Sequence, residues 1–144
     1  MLTAPLDRSA IAGLMPHGGA MCLLDCVRSW DAATIRCTAG SHRDARNPLA
    51  GGGALDVLCG IEYAAQAMAI HGSLIAGGKR PSAGYLASVR EVICHVSRLD
   101  TLASDLEIAV TRLAGSRSTA SYAFTLTGGS TTLLQGRATV VLDG

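Results

Sequence analysis

Apolar and polar positions alternate along most of the second half of the chain. The clearest alternation covers residues 120–127, where Ala, Tyr, Phe and Leu occupy every second position between Ser, Ala and Thr. A two-residue period predicts a strand that buries one face. Residues 106–111 and 134–142 show the same period, and the small residues at 128–130 predict a turn between two of these strands.

Three further segments are expected to be strands. Residues 21–30 are rich in apolar side chains, and residues 33–39 follow as their partner after a turn near Asp31. Residues 85–96 also favour a strand, but their alternation slips near Arg90-Glu91, which indicates a bulge.

The first fifty residues also contain a predicted helix and a predicted loop. The helix is expected around residues 8–15, with Ile11 and Leu14 packed inward and Pro16 at its end. Residues 41–53 are expected to form a loop, because they are mostly polar and end in three consecutive glycines.

A second, longer helix is predicted to start at Ala54 and to run for about 22 residues, or ~33 Å at 1.5 Å per residue. A glycine pair at 77–78 would end it. At 100° per residue, Glu62, Gln66 and Ser73 fall in one narrow polar stripe, and most other positions are apolar. Such a helix must be surrounded by other elements. The element order therefore predicts an α+β fold, in which a curved antiparallel sheet wraps around one long central helix.

The whole chain, residues 1–144, is expected to form a single domain, because no repeat, low-complexity tract or break in composition divides it. One sheet of this size covers only part of the helix and leaves its edge strands unpaired. Joining two sheets edge to edge would solve both problems, so we expect a homodimer.

Composition and charge exclude several classes of partner. Aromatic residues make up only 3% of the chain and the net charge is +1 without a basic cluster, so nucleic acid is not an expected partner. Residues 1–14 lack the pattern of a signal peptide. The apolar segment 54–75 contains Asp, Glu, Gln and His, which are costly in lipid. We therefore expect a cytoplasmic protein that does not bind a membrane.

The cysteines are an odd number without a CxxC pair, and all of them occur in apolar segments. Buried, reduced thiols are the expected state. A zinc site built from Cys22, Cys26 and a distant Cys or His is the alternative, although the spacing does not favour it. The five are Cys22, Cys26, Cys37, Cys59 and Cys94.

Two motifs in the chain resemble those of a known family. Residues 16–27 read PHGGAMCLLDCV and are similar to the PHRGPMLLLDRV opening of the hotdog-fold hydroxyacyl-acyl-carrier-protein dehydratases. Residues 60–69 read GIEYAAQAMA and are similar to the GIEYMAQAMA signature of their central helix. Residues 84–90 and 135–140 match later strands of the family. The resemblance points to the branch associated with aryl-polyene and related specialised fatty-acid clusters.

The resemblance implies a hotdog fold and a hydro-lyase that converts a 3-hydroxyacyl chain on an acyl carrier protein into the trans-2-enoyl thioester. It implies no metal and no organic cofactor. The chain also departs from the family: Gly18, Ala20 and Cys26 replace Arg, Pro and Arg of the opening motif. The GHFP motif of housekeeping dehydratases, whose His is catalytic, is absent from residues 47–49. Either His17 takes that role, or the protein is not a competent dehydratase.

The reaction needs a base, an acid and a donor to the thioester oxygen. His17 is the candidate base, with His42 in reserve. Glu62 is the candidate acid, because burial on an apolar helix would favour its protonated form; a Glu paired with an Arg across a dimer interface is the alternative. A backbone N–H near Gly60 or Gly53 would bind the thioester oxygen.

The remaining polar side chains of the long helix leave alternatives open. Gln66, one turn after Glu62, would either orient that carboxyl or bind a backbone group of a strand. His71, on the side of the helix opposite Glu62, and His95, in a strand, are expected to be structural or surface groups.

Two other functions remain open. One is thioester hydrolysis on the same fold, which the Pro-His motif before the first strand disfavours. The other is a non-catalytic or accessory subunit that binds an acyl chain and forms a heteromer with a related active dehydratase. The missing GHFP histidine supports this last function.

Overall fold

A computed structural model describes residues 3–15, 21–77, 84–116 and 118–142. In this part of the chain, a sheet of six strands packs against one long helix. The helices are α1 (Arg8–Ala12) and α2 (Gly60–Ile75), the strands are β1 (Cys26–Trp30), β2 (Thr34–Ala39), β3 (Gly84–Cys94), β4 (Leu106–Gly115), β5 (Thr119–Gly128) and β6 (Thr131–Leu142), and single 3₁₀ turns occupy Ser41–Arg43 and Val57–Cys59.

The sheet is antiparallel throughout, with the strand order β1-β2-β4-β5-β6-β3. Helix α2 packs against the central strands β2, β4 and β5. Within the described sheet, β1 and β3 are the two edge strands. The predicted α+β architecture, with one long helix enclosed by a curved antiparallel sheet, is confirmed.

The core lies between α2 and the inward face of the central strands. Alternate residues of β4 and β5 point to this face and are buried, as the two-residue period predicts. Burying one such Leu, Ile or Phe stabilises the fold by about 1.5–3 kcal/mol relative to leaving it exposed. The inward residues of these two strands are Leu106, Ile108, Val110, Ala120, Tyr122, Phe124 and Leu126.

Helix α2 begins later than predicted, at Gly60 instead of Ala54. Residues 55 and 56 precede the 3₁₀ turn and are extended, because the backbone of segment 55–57 bonds to that of residues 97–99 at 2.9 and 3.1 Å. The helix has 16 residues and is about 24 Å long at 1.5 Å per residue. It ends at Ile75, just before Gly77, whose φ of 92° is in the left-handed region that glycine favours.

Two other elements are shorter than predicted. Strand β1 begins at Cys26 instead of Met21, because the Gln66 side chain bonds to backbone groups of residues 21 and 23. Helix α1 ends at Ala12, and a tighter turn follows it. Ile11 and Leu14 are nevertheless buried as predicted.

The predicted bulge in β3 is confirmed. The register of β3 against β6 shifts between Arg90 and Ile93. Glu91, inside this shift, has a φ of 57°, which is uncommon for a residue with a side chain. The bulge lies on the edge strand of the described sheet, where bulges are frequent.

The cysteines are all free, but they do not share one environment. The expectation of buried thiols is right for Cys22 and Cys37 and wrong for Cys94, which is exposed at the end of β3, an edge strand of the described sheet. Cys26 and Cys59 are half-buried.

Candidate active site

The start of α2 places Glu62 in the first turn of the helix. The pairing of residues 55–57 with 97–99 fixes this start. The Asp100 carboxylate reinforces the pairing, because it accepts the first N–H of that segment at 2.9 Å. A hydrogen bond from Arg98 holds the pKa of the Asp100 carboxyl well below its usual range, so Asp100 is ionised at neutral pH.

The Glu62 side chain is exposed, which contradicts the expectation that the helix buries it. No side chain in the described part of the chain forms an ion pair or hydrogen bond with it. This chain alone therefore presents Glu62 as an accessible side chain rather than as the buried one that the apolar helix predicted.

The Gln66 side chain bonds to the backbone of the segment before β1. Its Oε1 accepts the N–H of Leu23 at 2.9 Å, and its Nε2 donates to the carbonyl of Met21 at 2.8 Å. Of the two expected roles, this geometry fits the one in which Gln66 binds a backbone group, although that group lies before the strand. His17 precedes Met21 by four residues and lies outside the described residues.

Gly60 is a site of close packing between α2 and the sheet. Its N–H bonds to the carbonyl of Val57, so this donor is already used within the chain. A Cβ at Gly60 would lie 2.7 Å from Leu134 Cδ2 and 2.9 Å from Leu126 Cδ2. Packing against these two leucines therefore explains why position 60 is a glycine.

Gly53 belongs to a tight turn. Gly51 and Ala54 exchange two backbone hydrogen bonds, at 2.9 and 3.1 Å. Between them, Gly52 and Gly53 have φ values of 60° and 79°. Two consecutive residues with positive φ form the kind of two-residue turn that glycines make without strain. The turn explains the glycine run without a contact to substrate.

A buried polar network lies next to Glu62, and the sequence analysis did not predict it. The Tyr63 hydroxyl is 2.7 Å from Ser41 Oγ and accepts a hydrogen bond from Asn47 Nδ2 at 3.0 Å. Burial raises the pKa of Tyr63, so its hydroxyl stays protonated at neutral pH. Tyr63 itself could have indicated this network from the sequence. A Tyr on the buried face of an apolar helix needs a hydrogen-bond partner for its hydroxyl.

Asn47 lies in the neighbourhood where the GHFP motif of housekeeping dehydratases would be. It is buried, and its Nδ2 also donates to the Ser41 carbonyl at 2.9 Å. Its Oδ1 accepts the N–H of Leu49 at 2.8 Å. Asn47 is therefore part of the protein's internal structure rather than a group that faces a cleft.

The other histidines have different environments. His42, the reserve base, is only 1% exposed, so its ring does not reach solvent in this conformation. Its Nε2 lies 3.2 Å from the Leu102 carbonyl, and burial lowers its pKa.

His71 is fully buried, as expected for a structural residue, with Nε2 2.7 Å from the Asp31 carbonyl. Its ring meets Tyr122 edge to face, and burial lowers its pKa. His95 is at the surface, where it lies 3.3 Å from Gln135 Oε1.

The described residues contain neither a cluster of metal ligands nor a membrane-spanning helix. No group of three or more His, Cys, Asp or Glu side chains in them is arranged to hold a metal ion. No helix there has the length and apolar character needed to cross a membrane.

The fold is similar to several solved structures. A chain of "The Dehydratase Heterocomplex ApeI:P from Xenorhabdus doucetiae" is 24% identical with a TM-score of 0.82, over 93% of this chain and 91% of that one. A mutant thioesterase from Pseudomonas aeruginosa is 16% identical with a TM-score of 0.53, over 83% and 80%. A thioesterase from Haemophilus influenzae is 11% identical with a TM-score of 0.56, over 84% and 78%. These likenesses confirm the hotdog fold.

No curated protein sequence matches this chain significantly. A family model described as "ApeP-like: ApeP dehydratase" matches residues 9–143, which is nearly the whole chain. The predicted resemblance to dehydratases of the aryl-polyene branch is thereby confirmed. The chain belongs to the ApeP-like dehydratase family.

Proposed function

We propose that this protein dehydrates 3-hydroxyacyl chains attached to an acyl carrier protein and yields the trans-2-enoyl thioester. Membership of a dehydratase family supports this activity. The observation that carries it is Glu62, an accessible carboxyl group in the first turn of α2. Gln66, one turn further along the helix, holds the backbone of residues 21 and 23. The reaction removes a proton from C2 and expels the C3 hydroxyl as water, so it consumes no second substrate.

In this proposal Glu62 protonates the departing hydroxyl, and His17 takes the proton from C2. His17 precedes by four residues the backbone of Met21, which Gln66 bonds to the helix. Neither Gly60 nor Gly53 binds the thioester oxygen in this proposal. The N–H of Gly60 is used within the chain, and the turn accounts for Gly53.

A partner chain supplies what Glu62 needs to act as an acid. The reaction requires Glu62 to donate a proton, and in this chain alone the Glu62 side chain is exposed to water. A surface that covers Glu62 would exclude water from the reacting groups. Large apolar side chains that need covering include Leu58, 52% exposed beside the helix start, and Ile93, 49% exposed on the edge strand β3. We propose that a second copy of the chain or a related dehydratase provides this surface.

A second function, that of an accessory subunit, has its own support. Asn47 occupies the neighbourhood of the GHFP histidine and is committed to the internal network, so that neighbourhood offers no base. The similar Xenorhabdus structure is described as a dehydratase heterocomplex, ApeI:P. In this case the protein would bind an acyl chain and complete a dimer with an active dehydratase. Thioester hydrolysis has only the likeness of fold in its favour.

The deciding experiment measures hydration and dehydration of short enoyl and 3-hydroxyacyl thioesters on coenzyme A and on an acyl carrier protein. Glu62→Gln and His17→Ala should each lower kcat by about 10²-fold or more. Glu107→Gln is the matched control, because Glu107 is an exposed glutamate on β4 that pairs with Arg36, and it should keep full activity.

Each failure has a distinct meaning. A wild-type protein that is inactive with both carriers, but restores activity to a related dehydratase on mixing, would establish the accessory function. Release of free thiol without enoyl product would establish a thioesterase instead.

A further inference from the structure

The Leu23 peptide is held on both sides by side chains from other elements. Its N–H donates to Gln66 Oε1 at 2.9 Å, and its carbonyl accepts a hydrogen bond from Ser41 Oγ at 2.7 Å. The neighbouring Met21 carbonyl accepts from Gln66 Nε2 at 2.8 Å. Three side-chain hydrogen bonds therefore hold the backbone of residues 21 and 23, just before strand β1.

The hydrogen bonds behind Ser41 have a fixed direction. The single Ser41 hydroxyl proton goes to the Leu23 carbonyl, so the Tyr63 hydroxyl must donate to Ser41 Oγ. The Tyr63 oxygen in turn accepts from Asn47 Nδ2. The donors run from Asn47 through Tyr63 and Ser41 to the Leu23 carbonyl, and a connected network of this kind holds its members in one arrangement.

We propose that Tyr63 and Gln66 are positioning residues for the dehydration, a proposal that rests on the function proposed above. Together with Ser41 and Asn47 they form a clamp on Leu23. Tyr63 and Gln66 lie on the same two turns of α2 as Glu62, so the clamp fixes the backbone of residues 21–23 relative to that carboxyl group.

The reason for such a clamp is geometric. Dehydration needs an acid on one side of the C2–C3 bond and a base that reaches C2, and a displacement of about 1 Å can cost about 10²-fold in rate. The Pro-His motif at residues 16–17 precedes the clamped residues 21–23 by a few positions in the sequence, whereas Glu62 lies on helix α2. Tyr63 and Gln66 connect these two parts. In the GHFP neighbourhood, Asn47 supports the clamp from behind.

The test compares Tyr63→Phe and Gln66→Leu with Tyr122→Phe. Tyr122 is also a buried tyrosine, 3% exposed on β5, and its ring contacts His71 rather than the clamp. Tyr63→Phe and Gln66→Leu should lower kcat by about tenfold to 10²-fold with KM changed less than about twofold. Tyr122→Phe should keep the wild-type kcat, even where its Tm falls as far as that of Tyr63→Phe. If Tyr63→Phe does not fold, Ser41→Ala breaks the same network with a smaller change.

A second readout separates positioning from stability. In a Glu62→Gln background, Tyr63→Phe should cost less than about twofold, because a positioning residue acts through the group that it positions. Exchange of the Leu23 amide proton should be slow in the wild type and in Tyr122→Phe, and fast in Gln66→Leu.

The outcomes distinguish the two proposals. An active wild type in which Tyr63→Phe and Tyr122→Phe lose equally little kcat would overturn the clamp and leave the dehydratase function standing. A wild type without dehydratase activity would overturn the function, and with it the catalytic reason for the clamp.

Discussion

Gly60→Ala and Gly72→Ala make the same change at two positions of one helix, and we expect opposite effects on stability. Gly60 has a φ of −59°, which any residue adopts, so its replacement tests packing alone. The new methyl group would lie 2.7 Å from Leu134 Cδ2 and 2.9 Å from Leu126 Cδ2. Both leucines are fully buried and cannot turn toward solvent. At Gly72, no described atom outside the surrounding helix lies within 4 Å of the new methyl.

The magnitudes follow from these distances. Forcing an extra methyl into a packed core costs about 1–3 kcal/mol, and replacing a helical Gly by Ala returns up to ~1 kcal/mol. With that return subtracted, Gly60→Ala should lower the free energy of unfolding by up to about 2 kcal/mol. Gly72→Ala gains the helix propensity of Ala without a packing cost and should raise the free energy of unfolding by about 0.5–1 kcal/mol.

Urea unfolding at one protein concentration measures both changes, and a fixed concentration matters because an oligomer would link stability to it. At 2–4 °C per kcal/mol for a domain of roughly this size, Tm should fall by up to about 8 °C for Gly60→Ala and rise by about 1–4 °C for Gly72→Ala. Equal shifts of the same sign would refute the reasoning. Gly60→Ala keeps its N–H, so any activity lost per folded molecule would have to come from the displaced helix.

Two further predictions concern titrating groups. Burial lowers the pKa of His42 and His71 below the ordinary value of 6.5, so the unfolded chain takes up protons that the folded chain does not. The stabilisation that the two neutral histidines give the fold is complete above pH 6.5 and is lost as the pH falls through their folded-state pKa values. Urea unfolding midpoints that do not change between about pH 7.5 and 5.5 would contradict this. Burial, with the Cys26 and Cys22 thiols near it, raises the pKa of Cys37 to about 12. A thiol reagent at neutral pH should therefore label exposed Cys94 first and Cys37 only on unfolding, as peptide mass spectrometry would show, and early labelling of Cys37 would disprove the assignment.

The strands could be predicted because their pattern depends on local alternation. On β5, every second residue faces α2 and the others face away from the core, so the period of two is complete from Ala120 to Leu126. The bulge in β3 was also visible, because a register shift interrupts the alternation at Arg90 and Glu91. In both cases the sequence records which face of a strand is buried, and that is enough to place the strand.

The start of α2 and the clamp could not be predicted, because they depend on contacts between distant segments. Residues 55–57 are apolar enough for a helix, but their backbone pairs with residues 97–99. Gln66 and Tyr63 reach backbone and side chains some twenty to forty residues away in sequence. Periodicity says which face of a helix carries a polar group, and it does not say what that group will meet.

Glu62 shows what an error of prediction can reveal. An apolar helix predicted a buried carboxyl group, and this chain alone leaves that group in water. The apolar pattern predicted the helix correctly. The prediction that Glu62 is buried also required all the elements around the helix to come from the same chain. Leu58 on the 3₁₀ turn before α2 and Ile93 on the edge strand β3 are likewise large, apolar and exposed. Side chains of this kind are characteristic of surfaces that another chain covers. Under the function proposed above, Glu62 acts where a second chain covers it, so separating the subunits should abolish dehydration before it unfolds the chain.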